Sequence, residues 1–399
     1  MSLSLSKKAM AVKPSSTLAI TAKAKDLKAQ GLDVVGFGAG EPDFNTPDNI
    51  CEAAIKAIND GFTKYTPASG IQELKEAISK KFKEFNGLDY KPSQIVISNG
   101  GKHSLTNIFT VLLNPGDEVI IPSPYWLSYP EIVKLAGGVP VFVVGGKEQG
   151  YKITAKQLQT VTTDKTKAIV LNTPNNPTGM IYTEEELKEI ADYAVKNDVY
   201  VVSDEMYENL VYCGEKHVSI ASLNEEIYKR TITVSGLAKS YAMTGWRIGY
   251  TGSSEEIAKL MGSVQSHQTS NPNSIAQKAA VEALTGDQTT VKKMQEAFDE
   301  RRRYMFERVS GLKHVSVAEP KGAFYVFIDV SEALGMKYKG NVIGDTATFA
   351  KILIEDYLVA VVPCADFGFA DHIRLSYAIS IEQIKKGIDR IEEFLNTLE

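Results

Sequence analysis

Seven short runs rich in β-branched residues recur between positions 94 and 252, and helical patterns fill the intervals between them. The runs are QIVIS (94–98), EVIIP (118–122), PVFVV (140–144), KAIVLN (167–172), VYVVSD (199–204), TITVS (231–235) and RIGYTG (247–252). Between two of them, YTEEELKEIADYAVKN places Thr183 and Glu186 at capping-box spacing ahead of helical apolar periodicity. Strands that alternate with helices cannot pair as hairpins, so the order predicts an α/β fold on a largely parallel sheet. This block covers residues 47–290 as a large domain. The charged stretch KKMQEAFDERRRYMFERV (292–309) reads as a long helix leaving it. Three further runs, AFYVFIDV, LVAVVP and HIRLSYAI, read as strands of a smaller α/β domain made of residues 1–46 and 291–399.

The chain has 399 residues, a formal charge of −5 and 43% hydrophobic residues, so one large and one smaller core are affordable and an anionic partner gains nothing. Neither nucleic acid nor a membrane is expected as a partner, since no apolar stretch approaches the roughly 20 residues of a membrane helix. The opening MSLSLSKKAMAVKPSS lacks an apolar signal core, and a cytoplasmic location is expected. Cys51, Cys213 and Cys364 are odd in number and far apart, which reads as reduced thiols. The five histidines show no ligand spacing, so no metal site is expected.

Candidate chemistry collects just after strands, where open α/β sheets bind ligands. Asn99-Gly100-Gly101 ends one strand before a helix that starts at Lys102, which reads either as a tight turn or as an anion cradle at a helix N-terminus. Upstream, VVGFGAGEPDF fails the dinucleotide fingerprint because position 41 is glutamate; close backbone packing is the reading of Gly36 and Gly38. In NTPNNPTG, turn chemistry accounts for most residues but not for two adjacent amides at a strand end, one of which can point into a cleft. Asp204 ends a strongly apolar strand, either as a helix cap or against a buried cation. Lys239, among small residues in SGLAKSYAMTGWRIGY, is either an exposed loop lysine or an amine whose desolvation frees it for chemistry, with Arg247 close behind.

The ordered set of motifs GAGEPDF, TKYTPASG, SPYW, NNPTG, SDEMYE, GLAKSYAMTGWRIG, GAFYVF and IRLSYA resembles the class I aminotransferases that use pyridoxal phosphate, and among them the bacterial-type aspartate aminotransferases. The resemblance runs from about Lys8 to the last helix. It implies a fold-type I transferase with a seven-stranded sheet, pyridoxal 5′-phosphate as cofactor, and a homodimer with shared active sites. By the same resemblance, Lys239 carries the cofactor and moves the substrate proton, Asp204 pairs with the ring nitrogen, and Asn176 and Tyr207 hydrogen-bond the phenolic oxygen. Trp126 stacks on the ring. Gly101, Lys102 and Arg247 cradle the phosphate, which Tyr65 reaches from the neighbouring subunit. Arg374 clamps the α-carboxylate, which the Gly40 backbone also meets. Lys102, helped by Ser15 and Thr17, reads a distal carboxylate, and Lys13 matches relatives that also accept prephenate.

Together these imply transfer of the amino group between aspartate and 2-oxoglutarate. The alternatives are an aminotransferase of the same fold acting on aromatic substrates or prephenate, and, more remotely, a non-catalytic regulator that binds the cofactor. One residue departs from the family pattern: Cys364 stands where glycine is usual, which is expected to disturb a tight turn.

Overall fold

The computed structural model describes residues 4–399. Strand β1 (Val35–Gly36) precedes the seven strands of the main sheet: β2 (Ile95–Ser98), β3 (Glu118–Ser123), β4 (Val139–Val144), β5 (Thr166–Asn172), β6 (Tyr200–Asp204), β7 (Thr231–Gly236) and β8 (Gly249–Gly252). Their spatial order is β2-β8-β7-β6-β5-β3-β4. Only β8 runs against the others, pairing antiparallel with β2 and with β7.

Alternation of side chains explains why both faces are covered. On β3, Val119 and Ile121 join one apolar cluster while Ile120 joins another; on β5, Ala168 and Val170 separate in the same way from Ile169 and Leu171. The first cluster is closed by helices Gly101–Leu112, Ser128–Leu135 and Glu255–Gln268, the second by Glu184–Asn197 and Glu225–Arg230. The helix Glu184–Asn197 begins with the predicted capping box: the Thr183 hydroxyl accepts from the Glu186 N–H at 3.3 Å, and the Glu186 carboxylate accepts from the Thr183 N–H at 2.8 Å. Such a cap is worth about 1 kcal/mol.

After the long helix Thr289–Ser310, a smaller antiparallel sheet forms from β9 (Ser316–Val317) and β10 (Tyr325–Asp329) with later strands. A short hairpin, β11 (Lys337–Tyr338) and β12 (Asn341–Val342), follows. The run LVAVVP does not form one strand. It breaks at Val361 into β13 (Val359–Ala360), which pairs in parallel with β1, and β14 (Val362–Pro363), which joins β15 (His372–Ser376). The sheet order is β14-β15-β10-β9. The N-terminal segment packs here: Ala24 and Val34 share an apolar cluster with Ile354 and Ala360. Among the described residues, no helix is long and apolar enough to cross a membrane.

Candidate active site

The reversal at β8 sets the site's layout. In register, Gly249 opposes Gly236 at the end of β7 and Ser98 at the end of β2. The start of β8 therefore lies at the same sheet edge as its neighbours' carboxyl ends. Arg247, two residues before β8, returns to the edge that Lys239 reaches three residues after β7. Between and beside them opens a cavity of about 270 Å³ lined by Lys239, Arg247, Asp204, Tyr207, Asn176 and Arg374, among others.

The Lys239 amine donates to the Gly40 carbonyl and lies 5.8 Å from the Phe324 ring centre. Burial, then the Arg374 charge, lower its pKa to about 8, with Arg247 acting in the same direction against Glu41 and Asp204. A useful fraction of the amine is therefore neutral near neutral pH. Asp204 is buried at the end of β6, and burial lifts its pKa to about 6. Two donors work against that rise: the Tyr129 hydroxyl at 2.7 Å and the Met206 N–H at 3.1 Å. The residues after Asp204 form a turn and not a helix, so the cap reading fails.

Opposite, the helix Gly101–Leu112 points its N-terminus into the cavity. It starts at Gly101, one residue earlier than expected. Gly100 has φ +87, and a Cβ there would run into the Arg247 guanidinium, while one on Gly101 would meet Met206 at 2.5 Å. The absence of side chains at this pair keeps open the space between unpaired helix N–H groups and a guanidinium, which suits a phosphate. Lys102 holds its amine 5.1 Å from the Trp126 ring centre. Burial and Arg247 lower the pKa of that amine.

Arg374, on β15, is buried with its ring-stacking partner Tyr325, 4.3 Å from the ring centre. Its Nη1 donates to Asn176 Oδ1 at 2.9 Å and its Nη2 to the Gly38 carbonyl at 3.1 Å. Its Nε is buried and finds no partner among the described residues. The guanidinium lines the cavity, where its planar fork suits a ligand carboxylate. The two amides of NNPTG divide their work: Asn175 Oδ1 accepts from Thr178 inside the turn, and Asn176 faces the cavity.

Of the residues singled out in the sequence, Gly40, Gly101, Lys102, Trp126, Asn176, Asp204, Tyr207, Lys239, Arg247 and Arg374 line this cavity, and Ser15 and Thr17 stand at its N-terminal wall. Two do not. Tyr65 is 89% exposed, and Lys13 is exposed with its backbone N–H bound to Glu131 Oε2 at 3.1 Å.

Two expectations are corrected. No atom lies within 4 Å of a Cβ built on Gly36, and one on Gly38 would meet ordinary contacts of 3.5 Å or more, so close packing does not explain these glycines. Gly40 is the tight position, its Cβ site 2.8 Å from the Tyr325 hydroxyl. Cys364 has φ −105, a conformation open to any side chain, and its thiol is buried beside Phe327 and Phe367. It disturbs no turn.

Sequence reasoning missed Tyr129 and Tyr325. The Tyr325 hydroxyl meets that of Tyr207 at 3.0 Å, and both are buried. In SPYWLSYP and GAFYVF each looks like one more core aromatic, and only the tertiary fold shows where its hydroxyl ends.

Residues 32–391 match the family model described as aminotransferase class I and II. The chain is 51% identical to an aspartate aminotransferase of Bacillus sp. (strain YM-2), covering 96% of both chains. It is 48% identical to a protein of Aquifex aeolicus (strain VF5) named a probable aspartate/prephenate aminotransferase, covering 97% of each. A solved aspartate aminotransferase of Thermus thermophilus with maleate superposes with a TM-score of 0.93 at 43% identity, over 99% of this chain and all of that one. With the motif order, the sheet topology and the cavity in agreement, the chain belongs to the class I and II aminotransferases.

Proposed function

We propose that this protein is an aspartate aminotransferase that uses pyridoxal 5′-phosphate to pass an amino group between L-aspartate and 2-oxoglutarate, giving oxaloacetate and L-glutamate. The observation that carries the reading is the convergence of a desolvated lysine, a buried carboxylate and two guanidinium groups on one cavity. The site's residues fit that cofactor: a side-chain-free cradle facing Arg247, and a buried carboxylate with no basic side chain hydrogen-bonded to it.

In this reading, Arg247 and the N–H groups of Gly101 and Lys102 hold the phosphate. Asp204 would hold the ring nitrogen, Asn176 and Tyr207 the phenolic oxygen, and Trp126 would pack on the ring. When bound, pyridoxal phosphate supplies an electron-accepting ring and keeps the amino group between the two half-reactions of a ping-pong cycle. Lys239 would be the attachment point, and its amine would move the proton at the substrate's α-carbon. Arg374 fixes the α-carboxylate through its fork, with the Gly40 backbone beside it. Lys102, with Ser15 and Thr17 near it, meets the distal carboxylate of a dicarboxylic substrate.

The reading includes a cytoplasmic homodimer in which Tyr65 serves the other subunit. It also divides the chain into a large domain, 47–290, and a small domain, 1–46 with 291–399, that closes on substrate. A second reading adds prephenate as a further substrate. It is favoured by the name of the Aquifex relative and by Lys13, whose backbone bond to Glu131 fastens it near the cavity's N-terminal wall.

The test is to load the protein with pyridoxal phosphate and measure oxaloacetate formed from aspartate and 2-oxoglutarate. Borohydride reduction and peptide mapping follow. Turnover with the label on Lys239 is expected; no oxaloacetate, or a label on another lysine, defeats the reading.

A further inference from the structure

The turn after β6 sends its side chains two ways. Asp204 and Tyr207 line the cavity, while Glu205 and Glu208 turn away from it into the protein. Both glutamates are buried, with 0% and 2% of their surface exposed. Two carboxylates at that depth are costly unless every oxygen is satisfied, and here every oxygen is.

Glu205 Oε1 accepts from the Ser203 hydroxyl at 2.8 Å and the Ser219 hydroxyl at 2.7 Å. Its Oε2 faces Asn86 Nδ2 at 3.1 Å and His217 Nε2 at 2.8 Å. Glu208 Oε1 accepts from the Lys81 ammonium and from the Ser235 hydroxyl at 2.5 Å, and Oε2 accepts from Asn86 Nδ2 at 2.8 Å. Lys81 also donates to Asn86 Oδ1 at 2.9 Å. Asn86 reaches the pair because helix Gln72–Lys81 widens into a π-turn over Phe82–Asn86. Such widened turns are frequent at functional sites.

The charges matter more than the hydrogen bonds. Of the two carboxylates, Glu208 pairs with the Lys81 ammonium and Glu205 meets His217 Nε2 instead. The carboxylates of Glu205 and Glu208 thus stand beside the turn that carries Asp204, Glu205 one residue behind it. The other titratable groups facing the pair are Tyr90, Tyr241 and Tyr250, which burial keeps protonated and neutral. Across the turn, Asp204 faces Tyr129, Tyr207 and Lys239. The Glu205 charge is one of the causes that raise the Asp204 pKa, after burial. A buried charge in a medium that screens poorly acts over several ångströms.

We infer that Glu205, Glu208, Lys81 and Asn86, with His217, form a positioning cluster whose carboxylate charges support protons on the cavity side of the turn, at the cofactor ring and at the Lys239 nitrogen. None of these residues touches the ligands, and the inference rests on the cofactor reading given above. It gives a reason for the sequence D-E-M-Y-E: the same five-residue reversal presents two working groups to one side and anchors itself with two carboxylates on the other.

Charge and scaffold make different forecasts. The readout is the pH midpoint of the visible absorbance of protein loaded with pyridoxal phosphate, which reports the proton at the Lys239 nitrogen. Glu205→Gln removes a negative charge and is expected to lower the midpoint by about half a pH unit or more. Lys81→Met removes the positive charge and is expected to raise it. Opposite shifts support the cluster's electrical role. Midpoints that stay put, or that move the same way, overturn it and leave a structural anchor. If either variant does not fold, Glu208→Gln replaces it, with a downward shift expected and an unmoved midpoint overturning the inference. A wild-type protein with no titrating visible band defeats the cofactor reading itself, which separates the two failures.

Discussion

The Tyr129 hydroxyl, carried by helix Ser128–Leu135, donates to Asp204 Oδ2 across 2.7 Å. Burial and the neighbouring Asp204 charge keep the tyrosine protonated well above its ordinary range, so it remains a donor at every working pH. It is also the first of the groups that restrain the rise of the Asp204 pKa. Removing it by Tyr129→Phe is expected to leave Asp204 harder to ionise. The acid limb of kcat/KM should move to higher pH by about one unit, since a hydrogen bond to a charged group contributes about 1.5 kcal/mol or more. A variant profile that overlays the wild type would show that Tyr129 only packs.

Asp204 carries a stability cost in the cofactor-free protein. A carboxyl raised to about 6 by burial favours its protonated form in the fold. Its contribution is fully present below the ordinary range near pH 4 and is lost as pH rises through 6. Apo Asp204→Asn, which keeps an acceptor for Tyr129, should therefore be more stable than wild type by about 1–3 kcal/mol at pH 7–8. The difference should close towards pH 4. The loaded variant should be at least about 10²-fold slower, since the counter-charge is gone. Urea melts of both apo proteins at pH 4.5 and 7.5 check the first part, and equal offsets at the two values would refute it.

Tyr65 lies 89% exposed and away from its own chain's cavity. In the dimer reading, a Tyr65→Phe chain mixed with a Lys239→Ala chain gives a hybrid with one intact and one doubly altered site. Activity above the sum of the two parents is expected once hybrids are isolated. If purified hybrids add nothing, Tyr65 does not act across the interface.

Lys13 decides the prephenate question. Its side chain is exposed and is not part of the cavity lining, so only a contact made by a reaching substrate group would engage it. Lys13→Ala is expected to reduce kcat/KM on prephenate by roughly tenfold, about 1.4 kcal/mol, and to spare aspartate. Equal effects on both, or no wild-type activity on prephenate, would remove the second substrate.

Much of this molecule could be read in advance because its strands announce themselves. QIVIS, KAIVLN and VYVVSD are covered on both faces, and strands covered on both faces read as near-continuous apolar runs. The residues at their ends were visible for the same reason: a charge or a glycine pair closing such a run is out of place. What stayed hidden depends on the third dimension. LVAVVP looks uniform, yet Ala360 bonds to one sheet and Val362 to another. Tyr129 and Tyr325 carry no local sign of where their hydroxyls go. Glu205 and Glu208 carry no local sign of burial either, and only the arrival of Lys81 and Asn86, more than a hundred residues upstream, makes it possible.

The single antiparallel strand also limits how this chain can vary in length. Lys239 and Arg247 hang from the two ends of one reversal whose flanks are locked at Gly236 and Gly249. An inserted or deleted residue in that link would move one group relative to the other, with no neighbouring strand free to slide and absorb the change. At the opposite edge of the sheet, the turn around Asn114-Pro115-Gly116 joins a helix to β3 with exposed residues and no group of the cavity. Length can drift there without consequence for the site, so in this fold tolerance to insertions is divided between the two rims of a single sheet.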